Sequence, residues 1–98
     1  PEGIRAALTR VMDPELDVNI VELGLVRRIR TDGRAAEITI ILTTPFCPYE
    51  EPLIASIKNT LIATNGLDVV RVMVADAPVW TPALMSPRAR TRVQSRFQ

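Results

Sequence analysis

The sequence predicts an α/β (α+β) fold of two layers, in which a small mixed three-stranded sheet carries helices on one face. Hydrophobic periodicity changes between helical and strand spacing in the order α-β-β-α-β-α. An Asp32-Gly33 turn between two alternating segments predicts an antiparallel hairpin. A strand–helix–strand crossover then predicts a parallel pair. The 98 residues fit one domain, residues 1–98.

Composition excludes several classes of protein. Apolar residues make up 47% and charged residues 23%, as in globular proteins, which excludes a disordered tail. Charges interrupt every apolar run before about 18 residues, so no membrane-spanning helix is predicted. Twelve basic residues against 11 acidic ones argue against a dedicated nucleic-acid binder. No basic-then-apolar signal segment precedes the first charged helix, so we expect a cytoplasmic protein.

The first helix is predicted over residues 2–12, because its apolar residues form one stripe. The helix is expected to end at Asp13-Pro14, since proline disfavours a helical residue before it. Residues 13–24 predict an ordered loop with a helical turn, ended by Gly24. The stripe consists of Ile4, Leu8, Val11 and Met12.

Two strands are predicted next, at about residues 25–30 and 36–43. In the second strand, alternation assigns two sets of side chains to opposite faces. One set is Ile38, Ile40 and Leu42, and the other is Thr39, Ile41 and Thr43.

The second half of the chain predicts a helix, a strand and a last helix. Pro52 fits only a first helical turn, so the helix begins between Pro48 and Glu51, and Asn65-Gly66 ends it. The third strand covers about residues 68–75. A proline-containing loop follows, and Ser86-Pro87 starts a helix that extends to about Ser95.

The single cysteine is the first candidate for chemistry. One cysteine and no histidine exclude an internal disulfide and any histidine-based triad. Cys47 follows a strand and precedes a helix, where the positive end of the helix dipole stabilises a thiolate. The alternative is a small buried hydrophobic residue without chemistry.

Three further groups have a functional and a structural interpretation. The carboxylates of Asp13 and Glu15, with those of Asp17 and Glu22, could orient a thiol, accept its proton or bind a cation. Alternatively, Asp13 only caps a turn and the other carboxylates are solvated. Trp80 either anchors a core edge or marks a contact surface. The last helix carries a basic stripe beside an apolar one, as expected of a docked helix with a solvated face or of a partner contact. The basic stripe is Arg88, Arg92 and Arg96; the apolar stripe is Ala89, Val93 and Phe97.

Three segments together resemble a known family. They are VMDPELDVNIVELGLV, LTTPFCPYEEPLI and VWTPALMSPRAR, in this order along the chain. They are similar to the small metal–sulfur cluster biosynthesis family, also named the MIP-eighteen family or domain of unknown function fifty-nine, which includes SufT-like and PaaD-like proteins. The resemblance implies an α/β domain like that of other iron–sulfur cluster assembly proteins, often found as a homodimer. It also implies one site at the matching positions, which are Asp13, Glu15, Thr43, Thr44 and Cys47.

The resemblance implies a role in assembling iron–sulfur clusters or delivering them, with assembly machinery and client apo-proteins as partners. A stable cluster usually needs four protein ligands, mostly thiolates, and one chain supplies one. We therefore expect an accessory or adaptor factor rather than a storage scaffold, with Cys47 as a transient cluster ligand shared across a dimer or as a persulfide acceptor. An assembly factor of this kind is expected rather than a catalyst. Two alternatives stay open. One is an enzyme with Cys47 as nucleophile and Glu15 or Asp13 as base; the other is a purely structural interaction module that uses the Trp80 region and the basic helix.

Overall fold

A computed structural model describes residues 2–13, 17–43 and 50–96 of the chain. The described elements follow the predicted order α-β-β-α-β-α, with one short 3-10 turn before the last helix. They are α1 (Glu2–Leu8), β1 (Val26–Asp32), β2 (Ala35–Ile40), α2 (Glu50–Asn65), β3 (Val69–Val74), the 3-10 turn (Pro82–Leu84) and α3 (Pro87–Arg96).

The three strands form one mixed sheet in the order β1-β2-β3, which confirms the predicted fold class. The Asp32-Gly33 turn joins β1 and β2 as an antiparallel pair, in which Ile29 lies opposite Ile38. The crossover through α2 makes β2 and β3 parallel, with Ile38 opposite Val72. Both β1 and β3 are therefore edge strands.

The core is aliphatic, and its pattern follows from the sequence periodicity. Ala36, Ile38 and Ile40 alternate along β2 and are all buried. Helix α2 packs against β3 and α1, and its own buried stripe has helical spacing. Burying each such leucine or isoleucine contributes roughly 1.5–3 kcal/mol. The stripe consists of Leu53, Ile57 and Leu61.

Helix α1 is shorter than predicted and ends at Leu8 rather than near Met12. The backbone N–H groups of Thr9, Arg10 and Val11 donate to carbonyls three residues back, at 3.0–3.2 Å. This tighter hydrogen-bond pattern ends the α-helix. Met12 instead forms an isolated bridge with Asn19, and 44% of it is exposed. Its predicted place on the buried stripe is wrong.

Strand β2 is also shorter than predicted and ends at Ile40 rather than Thr43. Ile41 donates its backbone N–H to the Leu25 carbonyl at 2.9 Å, and its side chain is 1% exposed. The register of β1 and β2 shifts between Val26 and Arg28, next to the pair formed by Leu25 and Ile41. Beyond the shift the strand alternation no longer applies, and Ile41 joins the core.

The helices of this fold are modest in length. None of those in the described ranges is both long enough and apolar enough to cross a membrane.

Candidate functional site

The loop after α1 is held by its own side chains. Asn19 Oδ1 accepts the backbone N–H of Glu22 at 2.9 Å, and Asn19 Nδ2 donates to Glu22 Oε2 at 3.0 Å. The Leu23 N–H also donates to the Asn19 carbonyl, at 3.1 Å. These bonds form a turn in the loop that the sequence predicts to be ordered.

The segment before α3 docks on this loop. Trp80 Nε1 donates to the Leu23 carbonyl at 2.7 Å, and the Ser86 N–H donates to the Glu22 carbonyl at 2.7 Å. Trp80 is half-buried and packs against the core, which confirms the anchoring interpretation. Ser86 Oγ also accepts the Ala89 N–H at 3.1 Å and thereby caps α3, as predicted.

Helix α3 is a docked helix. Ala89 is buried and Val93 packs against the core, while Arg88 is exposed. Arg92 is exposed too, but it donates to the Asp17 carbonyl at 3.1 Å and lies 3.3 Å from Asp17 Oδ2. Part of the basic stripe therefore fixes the helix to the loop after α1.

Gly24 allows the loop and the 3-10 turn to approach closely. Its φ is +81°, which disfavours any residue with a side chain. A Cβ at this position would lie 2.4 Å from the Leu84 carbonyl oxygen. Gly24 belongs to the segment VMDPELDVNIVELGLV, and Leu84 belongs to the segment VWTPALMSPRAR. The close contact between these two segments therefore requires a glycine at position 24.

A cavity of about 330 Å³ lies at the carboxyl ends of the parallel strands β2 and β3. Thr43 and Glu50, the described residues on either side of residues 44–49, both line it. Apolar side chains form much of the wall, and Asp76 adds a second carboxylate. Carboxyl ends of parallel strands are where open α/β sheets bind ligands. The other lining residues are Ile41, Leu42, Val74, Ala75, Pro78, Val79 and Trp80.

The predicted site residues have different positions. Thr43 is half-buried at this cavity. Asp13 is 6% exposed and is not among the described residues that line the cavity. Its N–H donates to the Val18 carbonyl, and its carbonyl accepts the Asp17 N–H, both at 2.9 Å. Glu15, Thr44 and Cys47 lie outside the described residues.

The lining includes residues that were not predicted as site residues, among them Glu50, Asp76 and Val79. Asp76 is the second residue after the end of β3, and Val79 is 79% exposed beside Trp80. The strand order would have placed Asp76 here, because parallel strands end at the same edge of a sheet. Across the described ranges, no three acidic, cysteine or histidine side chains gather in a way that could hold a metal ion.

Comparison with known proteins identifies the family of this chain. Residues 1–74 match the profile of a family described as "Iron-sulfur cluster assembly protein". The chain belongs to this family. The match includes the loop after α1, residues 44–49 and all of β3.

Two relatives among curated proteins show how far the similarity extends. The chain is 37% identical over 92 residues to a protein of Escherichia coli strain K12 that is named as a putative subunit of 1,2-phenylacetyl-CoA epoxidase, covering 93% of this chain and 55% of that protein. It therefore spans about half the length of that relative. It is 36% identical over 90 residues to the "Fe-S protein maturation auxiliary factor YitW" of Bacillus subtilis, covering 91% and 88%.

A solved structure confirms the family fold. The crystal structure of a domain of unknown function from Bacillus anthracis superposes with a TM-score of 0.91 at 32% sequence identity. The superposition covers 95% of this chain and 90% of that one. The helices and sheet of this chain therefore form the fold expected from the resemblance.

Proposed function

We propose that this chain is an accessory or adaptor factor that assists iron–sulfur cluster assembly or delivery to client proteins. The observation that carries the proposal is family membership over residues 1–74, which include Cys47. A relative of nearly the same length carries the name of an iron–sulfur maturation factor. Residues 1–98 would act as a single assembly-type domain.

Cys47 is proposed as the residue that contacts the cargo. As the single cysteine of the chain, it offers one thiolate, whereas a stable cluster usually needs four ligands. The remaining ligands would therefore come from another molecule, either a second copy of the chain or a client or carrier protein. Contact through one thiolate is weak and reversible, as a delivery step requires.

The same thiolate also suits transfer of sulfur. Cys47 would attack the outer sulfur of a donor persulfide, and the donor would leave as a thiolate. Cys47 then carries the sulfane sulfur, and the exchange needs no added oxidant or reductant. Both roles need an accessible thiolate, so one variant tests them together.

The proposed place of this chemistry is the cavity at the carboxyl ends of β2 and β3. Thr43 and Glu50 flank the six residues that contain Cys47, and both line the cavity. Glu50 and Asp76 add carboxylates that could assist iron, and Thr43 adds a hydroxyl. We propose Thr44, Glu15 and Asp13 as supporting residues of the same site.

The proposed partners are the assembly machinery and client apo-proteins, in the cytoplasm. The chain is proposed to act as a homodimer. Clients would bind at the cavity rim, where Val79 is 79% exposed.

The test is cluster transfer from a loaded scaffold protein to apo-ferredoxin, followed by the visible absorption of the holo product. Cys47→Ser is expected to fold like the unmodified chain but to remove its stimulation of transfer. Ser56→Ala, an exposed change on α2, is the matched control and is expected to keep the stimulation. Thermal unfolding of both variants checks the fold.

The other outcomes separate the remaining hypotheses. Full stimulation by Cys47→Ser would overturn the role of the thiolate and leave an interaction module. Stimulation by neither protein would overturn the assembly function itself. In that case, alkylation of Cys47 against pH would test the cysteine-dependent enzyme, which requires a thiol pKa well below the ordinary value of about 8.5.

A further inference from the structure

The outer edge of β3 differs from most natural sheet edges. Strand β3 has the sequence VVRVMV, with one charge, and its pairing with β2 has no register shift. Val69, Met73 and Val74 are between 38% and 51% exposed. Natural proteins usually protect such edges with charges, prolines or bulges. This edge has none of these except Arg71.

The opposite edge of the sheet carries those protections. Strand β1 exposes Arg27, Arg28 and Arg30, and its pairing with β2 shifts register between Val26 and Arg28. Arginines and an irregular register both oppose pairing with another strand. The sheet therefore has one protected edge and one edge open to a partner.

The hydrogen bonds of β3 show which backbone groups are available. The N–H groups of Val69 and Ala75 donate to carbonyls of the β2 side, Arg34 and Ile40. Because backbone direction alternates along a strand, the odd-numbered residues face β2 and the even-numbered ones face outward. The outward residues are Val70, Val72 and Val74, and within the described ranges no hydrogen bond involves their outward groups.

We propose that a second copy of this chain pairs with this edge, antiparallel and centred on Val72. This inference rests on the homodimer proposed above and names its interface. Val72 then lies opposite its own symmetry mate, and Val70 lies opposite Val74 of the other copy. By symmetry, Val74 lies opposite Val70 of the other copy, which makes three pairs. Each pair exchanges two hydrogen bonds, so every outward N–H and carbonyl group of β3 is satisfied.

Charge distinguishes this register from its neighbour. With the two-fold axis at Val72, Arg71 lies opposite Met73 of the other copy. A shift of the axis to Arg71 would place two arginines directly opposite each other, which is unfavourable. The register centred on Val72 therefore uses all three outward residues and avoids the like-charge pair.

The pairing also fixes the relation between the two proposed sites. In an antiparallel pair centred on Val72, the two Ala75 residues are six positions apart along the strand, or about 20 Å. Ala75 lines the cavity of each protomer. The two cavities would therefore open at opposite ends of the interface. Because Cys47 is proposed above to act at this cavity, the ligands that complete a cluster in this dimer would come from a client or carrier and not from the second Cys47.

The test uses the charge of residue 73. Met73 is 51% exposed, so both Met73→Arg and Met73→Glu are expected to fold. Met73→Arg creates two like-charge pairs with Arg71 per dimer, and Met73→Glu creates two opposite-charge pairs. We expect the dissociation constant of Met73→Arg to exceed that of Met73→Glu at least about tenfold in sedimentation velocity. Thr31→Arg, an exposed change on β1, is the control and is expected to leave dimerisation unchanged.

Hydrogen exchange supplies a second measurement. The amides of Val70, Val72 and Val74 are expected to become protected as the protein concentration rises, and those at the β1 edge are not. A dimer with equal dissociation constants for both Met73 variants would place the interface elsewhere and overturn this inference alone. A chain that stays monomeric at all concentrations would overturn the interface and the homodimer. Neither result changes the ferredoxin assay of Cys47, which tests the assembly function separately.

Discussion

At the carboxyl ends of β2 and β3, hydrogen bonds that include a part-buried indole join three segments of the chain, whereas an exposed ion pair joins two segments at the other end of the sheet. The first end joins the loop after α1 to Trp80 and α3. The second end has the Asp32-Gly33 turn and a 3.7 Å ion pair between Arg34 and Asp68, whose side chains are 75% and 67% exposed. The candidate site thus lies at the end where a part-buried hydrogen bond joins the segments, and each end offers a matched glycine and a matched arginine.

The largest expected effect comes from the two glycines. Gly24→Ala places a side chain at φ +81° and 2.4 Å from the Leu84 carbonyl oxygen. We expect a loss of about 3 kcal/mol in the free energy of unfolding, measured by chemical denaturation. Gly33→Ala shares the positive φ, +60°, but its Cβ meets no atom within 4 Å. It is expected to cost only about 1 kcal/mol.

Equal losses for the two glycine variants would contradict the comparison. They would mean that backbone strain alone decides the cost and that the 3-10 turn moves away at little cost. A melting temperature lowered by more than about 10 °C in Gly24→Ala alone would support close packing as the cause.

The second prediction concerns the contact between Trp80 and the loop after α1. Trp80→Phe keeps an aromatic ring but leaves the Leu23 carbonyl without its donor. We expect a loss of about 1–2 kcal/mol in the free energy of unfolding. Val79→Ala, at the neighbouring 79% exposed position, is expected to change it little. An unchanged unfolding midpoint for Trp80→Phe would contradict this prediction and show that water replaces the indole as hydrogen-bond donor. Since Trp80 lines the cavity, Trp80→Phe is also expected to slow cluster transfer to apo-ferredoxin.

Elements bounded by strong local signals were predicted from the sequence. Helix α2 begins at Glu50 and ends at Asn65, as Pro52 and the Asn65-Gly66 cap predict, and Gly66 has the positive φ of such a cap. The ends of α1 and β2 were predicted less well. Contacts with residues outside each element accompany these ends, since Met12 bridges Asn19 and Ile41 pairs with Leu25. Periodicity alone contains no information about such partners.

The candidate site shows the same limit. Thr43 was assigned to the site by the resemblance, and it lines the cavity three residues beyond the end of β2. Asp13 was linked to Cys47 by resemblance alone, and spacing gave no distance between them. The bond between Trp80 and Leu23 joins residues 57 positions apart, and the sequence offered an anchor as one of two interpretations of Trp80, without its partner.

The smallest expected effect distinguishes the two arginines. Arg92 contacts both the carbonyl and the carboxylate of Asp17, while Arg34 lies 3.7 Å from Asp68 and 3.5 Å from the Gly66 carbonyl. Exposed ion pairs contribute about 0.2–1 kcal/mol. We expect Arg92→Gln to lose more stability than Arg34→Gln, at the upper and lower ends of this range. Urea unfolding at low and high salt measures both. Because salt screens charge, the charge-dependent part of each loss should shrink at high salt. A larger loss of unfolding free energy for Arg34→Gln than for Arg92→Gln would contradict the comparison. It would mean that exposed side-chain contacts stabilise the hairpin end of the sheet more than the site end.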